Sequence, residues 1–188
     1  MLDREALERQ LAELPLYQYA FLNTDDLIFT ERVRAICENE CPMYNKSWAC
    51  PPAVGTVAEC RARCLRYRQA LMISSVSEVS DIANIDETLA TRAPHEALTR
   101  QVTHLVRAQC PDTLTLSTES CVHCKKCAWP DAPCRFPDKM YPCVESYGIL
   151  ATDIAEKCGM DFFNGNIVTW FSLIFFKEET AADTAAPA

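Results

Sequence analysis

Residues 166–176 read Asn-Ile-Val-Thr-Trp-Phe-Ser-Leu-Ile-Phe-Phe, and this run decides what kind of fold the chain can adopt. It is β-branched or aromatic almost throughout, which suits a pleated strand and disfavours a helix. At ten residues, the stretch Ile167 to Phe176 is about half the roughly 20 that a membrane helix needs. A strand this apolar belongs at the centre of a sheet, and Asn164-Gly165 before it signals a turn.

Working outward, Val144 to Lys157 is expected to be a helix closed by Cys158-Gly159. Further upstream, Thr113 to Ser117, Ala70 to Val76 and Leu16 to Leu22 have strand composition. Helical spacing marks residues 2 to 13, about 26 to 38 behind an Asn23–Asp26 turn, Thr56 to about Gln69, and His95 to Gln109 behind Pro94. Ser80 to Ala93 reads as loop or broken helix. The fold class is therefore α+β, an α/β sandwich with a sheet of about four strands flanked by helices. One domain is expected over residues 1–177, since 188 residues with 49% hydrophobic content can bury one core. The small, polar tail 178–188 is expected to be disordered.

Twelve residues are cysteine. Seven fall into two arrays: Cys37, Cys41 and Cys50, then Cys121, Cys124, Cys127 and Cys134. Residues 1–20 mix Arg4 and Arg9 with Asp3, Glu5, Glu8 and Glu13 and contain no long apolar core, so they do not read as a signal peptide. A cytoplasmic, soluble chain is expected, where dense cysteine is more often metal-binding or catalytic than a disulfide framework. The run Cys121-x2-Cys124-x2-Cys127 has the spacing by which bacterial ferredoxins place three thiolates on one 4Fe–4S core. Cys134 is the simplest fourth ligand and Cys143 the backup. In the first array, spanning 37–64, Cys60 or Cys64 would complete a second cluster; if neither does, an open iron results and points to an enzyme. Zinc held by the same thiols is the alternative to iron–sulfur chemistry. Cys110 and Cys158 read as small buried hydrophobes.

Three motifs, taken in order, carry a resemblance. Cys37-Glu-Asn-Glu-Cys41-Pro-Met-Tyr-Asn-Lys-Ser-Trp-Ala-Cys50-Pro-Pro is followed by the Cys121/Cys124/Cys127 triplet with Cys134-Arg-Phe-Pro137, then by Glu145-Ser-Tyr-Gly148-Ile. Together they resemble the predicted metal-binding proteins called domain of unknown function 2284, over about residues 30 to 176. The resemblance implies a cysteine-ligated, iron–sulfur protein of anaerobic bacteria and archaea, without naming a reaction. This chain has Asn45 where the family loop has glycine, and Cys143-Val144 where the family has Ser-Met, which favours Cys134 over Cys143 as a ligand.

Charge adds a second pattern. The chain carries −8 overall, which argues against nucleic acid as a partner. Residues 32–68 nevertheless carry seven basic and three acidic side chains, and residues 121–139 carry four and two. Lys125, Lys126, Arg135 and Lys139 suit docking of an acidic redox protein such as a ferredoxin or flavodoxin, or of a reductase. Lys46, Trp48 and His123 lie inside the arrays, while His95 and His104 show no triad spacing. Only four glycines occur, and none forms a phosphate-binding loop. The sequence thus predicts two 4Fe–4S clusters relaying electrons, with an open-iron enzyme or a zinc-stapled interaction module as alternatives. Substrate, pathway, redox partner and oligomeric state are not encoded legibly.

Overall fold

A computed structural model describes residues 2–177; the expected tail 178–188 lies outside the described residues. The elements run α1 (Arg4–Leu11), β1 (Gln18–Asn23), α2 (Glu31–Asn39), α3 (Val57–Cys64), β2 (Gln69–Glu78), α4 (Ile85–Ala90), α5 (Arg92–Gln109), β3 (Thr113–Leu116), α6 (Ala151–Lys157) and β4 (Ile167–Phe176). The four strands form one antiparallel sheet in the order β1-β2-β4-β3. β2 and β4 pair over their full length, from Gln69 opposite Phe176 to Glu78 opposite Ile167.

The apolar density of β4 follows from burial on both faces. Phe171, Leu173 and Phe175 point with Ala70 and Met72 toward α3, α6 and the segment Val144–Ile149. Ile174 and Phe176, with Leu71 and Ile73, face α1 and α5 through Leu7, Leu11, Val102 and Val106. Alternate residues of one strand therefore serve two cores, which is why polar residues are rare in it. Thr169 and Ser172 are the exceptions, and Ser172 is fully buried, its Oγ 2.8 Å from both His95 Nε2 and Thr99 Oγ1 of α5. His95 Nδ1 meets Ser75 Oγ at 2.7 Å, so both ring nitrogens are satisfied.

Three expected helices are altered by local chemistry. The helix expected from residue 26 begins at Glu31, because Thr24–Asp26 close a short 3-10 turn and Thr30 supplies the cap by accepting from Arg32 N. The helix behind Thr56 keeps its capping box with Glu59 but ends at Cys64. Val144 to Lys157 is split: a 3-10 turn, Glu145–Tyr147, stops at Gly148 with φ +78°, and α6 begins only at Ala151. A Cβ at Gly148 would sit 3.0 Å from Thr30 O and from a Val57 methyl, so only glycine fits this close approach. Among the described residues no helix is long and apolar enough to cross a membrane. The two cysteine-rich loops occupy the long connections β1–β2 and β3–β4.

Candidate functional site: two cysteine-lined cavities

The first loop, residues 40–56, is a series of tight turns. Asn45 stands at φ +57°, a conformation asparagine tolerates, and its N–H donates to Pro51 O at 2.7 Å. The second loop, residues 117–143, is tied at its base by Ser117 N to Pro142 O and Val144 N to Ser117 O. An indole pair joins the loops. Trp48 and Trp129 meet edge to face at 4.7 Å, Trp48 Nε1 donates to Ala132 O, and Trp129 Nε1 donates to Asn45 Oδ1. Arg100 of α5 pins the outer part of the second loop through Glu96 Oε1, His123 Nε2 and Lys139 O, at 2.6 to 2.8 Å.

Between the loops lie two cavities of similar size. One, about 230 Å³, is lined by Cys121, Cys124, Cys127 and Cys134. The other, about 220 Å³, is lined by Cys37, Cys41, Cys50 and Cys143. Met43 borders both. No disulfide links the twelve cysteines, all of which lie among the described residues.

The cavities differ in charge. Lys46, Lys125, Lys126 and Arg135 line the Cys121 cavity together with His123, and no carboxylate does. The Cys37 cavity is lined by Glu119 and Glu145 and by no cation. Glu145 keeps some surface toward that cavity, yet burial of its carboxyl pushes it up to about 7. Glu119 holds φ +56°, an unusual backbone state for a non-glycine residue.

Thiol acidity sets one sulfur, Cys127, apart from the buried ones. Burial, then the neighbouring Cys41 and Cys37, pushes the Cys50 thiol up to about 12. Burial likewise raises Cys37, Cys121 and Cys143. Cys127 also feels burial raising it, but the nearby backbone N–H groups of Trp129, Trp48 and Ala128 and the Ser47 hydroxyl favour its thiolate, and together they lower it below the ordinary thiol value.

The remaining candidates go elsewhere. Cys60 and Cys64 are fully buried in the core beside Met72 and Phe175 and line neither cavity. Cys60 Sγ accepts from Arg63 Nη2 at 3.0 Å and from Arg34 Nη2 at 3.6 Å. Cys143 joins the first array because Arg34 donates to Ser146 O and Thr30 N to Gly148 O, which fasten α2 against the segment bearing Cys143. Ser47 and Glu145 lie inside the first and third motifs but were given no role there, and Glu119 and Arg100 carry no motif that sequence reading could have singled out.

Among the described residues, no group of three or more His, Cys, Asp or Glu side chains is arranged to hold a metal ion. The sulfurs are distributed over cavity walls rather than converging as a ligand set. This overturns the expectation of 4Fe–4S clusters in the two arrays, and with it the electron relay through them, the open-iron enzyme and the zinc-stapled module. Cysteine-rich loops exist where the sequence put them; their metal-binding character is not seen. A family model described as "Predicted metal-binding protein (DUF2284)" matches residues 20–176. No curated protein and no solved structure matches the chain.

Proposed function

The chain belongs to the DUF2284 family of predicted metal-binding proteins, and we propose that its second cysteine loop is a thiol–disulfide exchange centre in which Cys127 is the attacking group. One observation carries this reading. Four thiols outside any disulfide share one cavity, and one of them, Cys127, is lowered below its ordinary value by the neighbouring Trp129, Trp48 and Ala128 N–H groups and the Ser47 hydroxyl. Donors fixed by the fold stabilise a thiolate at no reorganisation cost, and the thiolate is the nucleophile in exchange.

The chemistry balances without a further cofactor. The Cys127 thiolate attacks one sulfur of a disulfide, the S–S bond breaks, and the first substrate half leaves as a thiolate that takes up a proton. Cys124, three residues away on the same cavity wall, then attacks the Cys127 sulfur as its own proton is lost. An internal disulfide forms and the second substrate half leaves as a thiol. The substrate gains two electrons and two protons, and the protein dithiol supplies both. A reductase or small-molecule thiol, acting as the redox partner, returns the two electrons.

The test is direct. Protein prepared without oxygen should reduce a low-molecular-weight disulfide with loss of two thiols per chain, and peptide mapping should locate the new disulfide at Cys127. Cys127→Ser should abolish the reaction. Iron with sulfide, or zinc, bound stoichiometrically to the Cys121–Cys134 thiols would overturn the proposal, as would an unchanged rate in Cys127→Ser.

A further inference from the structure

Resting on that exchange reading, we infer that the Cys121–Cys134 cavity selects anionic disulfides: small molecules with carboxylates close to the S–S bond. Two cavities of nearly equal volume each present four thiols, so thiol content and space do not distinguish them. Charge does. Lys46, Lys125, Lys126 and Arg135 surround one without a lining carboxylate, whereas Glu119 and Glu145 line the other without a cation.

These cations are not engaged in holding the fold together. The ion pairs among the described residues are Arg9–Glu5, Arg100–Glu96 and Lys177–Asp112, and none involves the four. Of their four side chains, Arg135 alone makes a hydrogen bond among the described residues, from Nη1 to Lys126 O at 3.0 Å, which keeps its charge beside the cavity. All four side chains belong to exposed residues, so a ligand can reach them.

The rest of the molecule sharpens the contrast. A chain of net charge −8 repels an approaching anion over most of its surface and attracts it at this basin. Clefts lined by one sign of charge focus the field and raise the association rate of the opposite charge by about 10- to 10³-fold. The volume, about 230 Å³, lies below the usual range of about 300–1,000 Å³ for ligand sites, which suits one arm of a small disulfide. The carboxylates stay intact through the reaction; they bring the sulfur to Cys127 and take no part in bond exchange.

Three probes of graded charge test this: glutathione disulfide (anionic), hydroxyethyl disulfide (neutral) and cystamine (cationic). Each rate is divided by the rate of the same disulfide with free dithiothreitol, which removes intrinsic reactivity. At low ionic strength kcat/KM should fall in the order anionic, neutral, cationic, spanning at least about tenfold. At 1 M salt, where screening acts within about 3 Å, the span should collapse. The double variant Lys125→Glu/Lys126→Glu, changed only at exposed positions, should reverse the order while its circular dichroism matches the parent. Equal normalised rates for all three probes, or an order unmoved by the double variant, would overturn the selectivity and leave exchange standing. Reduction of none of the three would overturn exchange and selectivity together. Preference for a protein disulfide such as insulin over glutathione disulfide would also overturn the selectivity.

Discussion

Two desolvated groups pull the acid stability of this protein in opposite directions, and removing either should expose the other. His95 is wholly enclosed between α5 and the sheet, where desolvation holds its pKa at about 4 against an ordinary 6.5. Below pH 6.5 the unfolded chain binds a proton there that the folded chain refuses. His95 therefore contributes stability that is full above 6.5 and is lost as pH falls toward 4. Glu145 has the reverse sign, since burial raises it from 4.5 to about 7. Its contribution is full below 4.5 and is lost as pH rises through 7. Each tenfold difference in proton affinity between the folded and unfolded chain is worth about 1.36 kcal/mol. Between pH 7 and 4.5, His95 then costs about 2.4 kcal/mol and Glu145 restores about 2.6 kcal/mol, so the two nearly cancel. Urea denaturation at pH 7 and 4.5, followed by tryptophan fluorescence in reductant, reads the balance. Relative to the parent's own change over that interval, Glu145→Gln should lose about 2 to 3 kcal/mol more on acidification, and His95→Gln should lose about 2 to 3 kcal/mol less. Other carboxylates titrate alike in all three proteins and drop out of the comparison. Parallel stability curves for the parent and both variants would refute the reasoning.

Gly148→Ala should destabilise by about 2–4 kcal/mol, combining the left-handed penalty with crowding against Thr30 O and Val57; a urea-derived loss below about 1 kcal/mol would contradict that geometry. Arg100→Met should free the outer second loop, so amides of 122–126 and 136–141 should exchange faster while the core of α5 stays protected. Cys64→Ser places a hydroxyl in the apolar core and should cost about 1–3 kcal/mol without slowing disulfide exchange. Cys127→Ser should show the opposite pattern, near-parental urea stability with exchange abolished.

The long elements were legible in the sequence because each is decided by its own composition. β4 begins at Ile167, one residue from its expected start, and α5 contains the whole expected span His95 to Gln109. Buried on two faces, β4 had to be apolar throughout, and no tertiary detail could disguise that. The split of Val144–Lys157 was not legible, since Gly148 breaks the helix to let Val57 and Thr30 approach, a contact between segments far apart in sequence. The cysteines show the same division. Four-residue spacing correctly put Cys60 and Cys64 on one helix face, but only the packing of α3 on the sheet decided that this face is the core. Cys143 reached the first cavity through the Ser117 bridge and the contacts of α2 with residues 146–148, none of which leaves a local signature. The metal reading failed for a related reason. Spacing reports which thiols can share a neighbourhood, and two neighbourhoods of four did form, but it does not fix where the sulfurs point.

Those two neighbourhoods are not interchangeable, and their difference limits where thiol chemistry can occur. Cys50, held at about 12, is ionised at pH 7 in roughly one molecule in 10⁵. Burial raises Cys143 as well, and with Glu119 and Glu145 beside them these sulfurs line a cavity without a cation to favour a thiolate. Such thiols behave as buried apolar groups and resist both alkylation and attack on a disulfide. Cys127 has donor groups of Trp129, Trp48, Ala128 and Ser47 near it to favour its thiolate, in a cavity rimmed by four cations. The Trp48–Trp129 contact and the Asn45 bond hold those donors in place by clamping one loop on the other. The first loop, whose Cys50 thiol is held protonated, thereby supplies Ser47 and the Trp48 N–H that act on the second loop's thiol. Reactivity in this fold is a property of the junction between the two cysteine loops, and substitution at Trp48 should be felt at Cys127 before it is felt in the core.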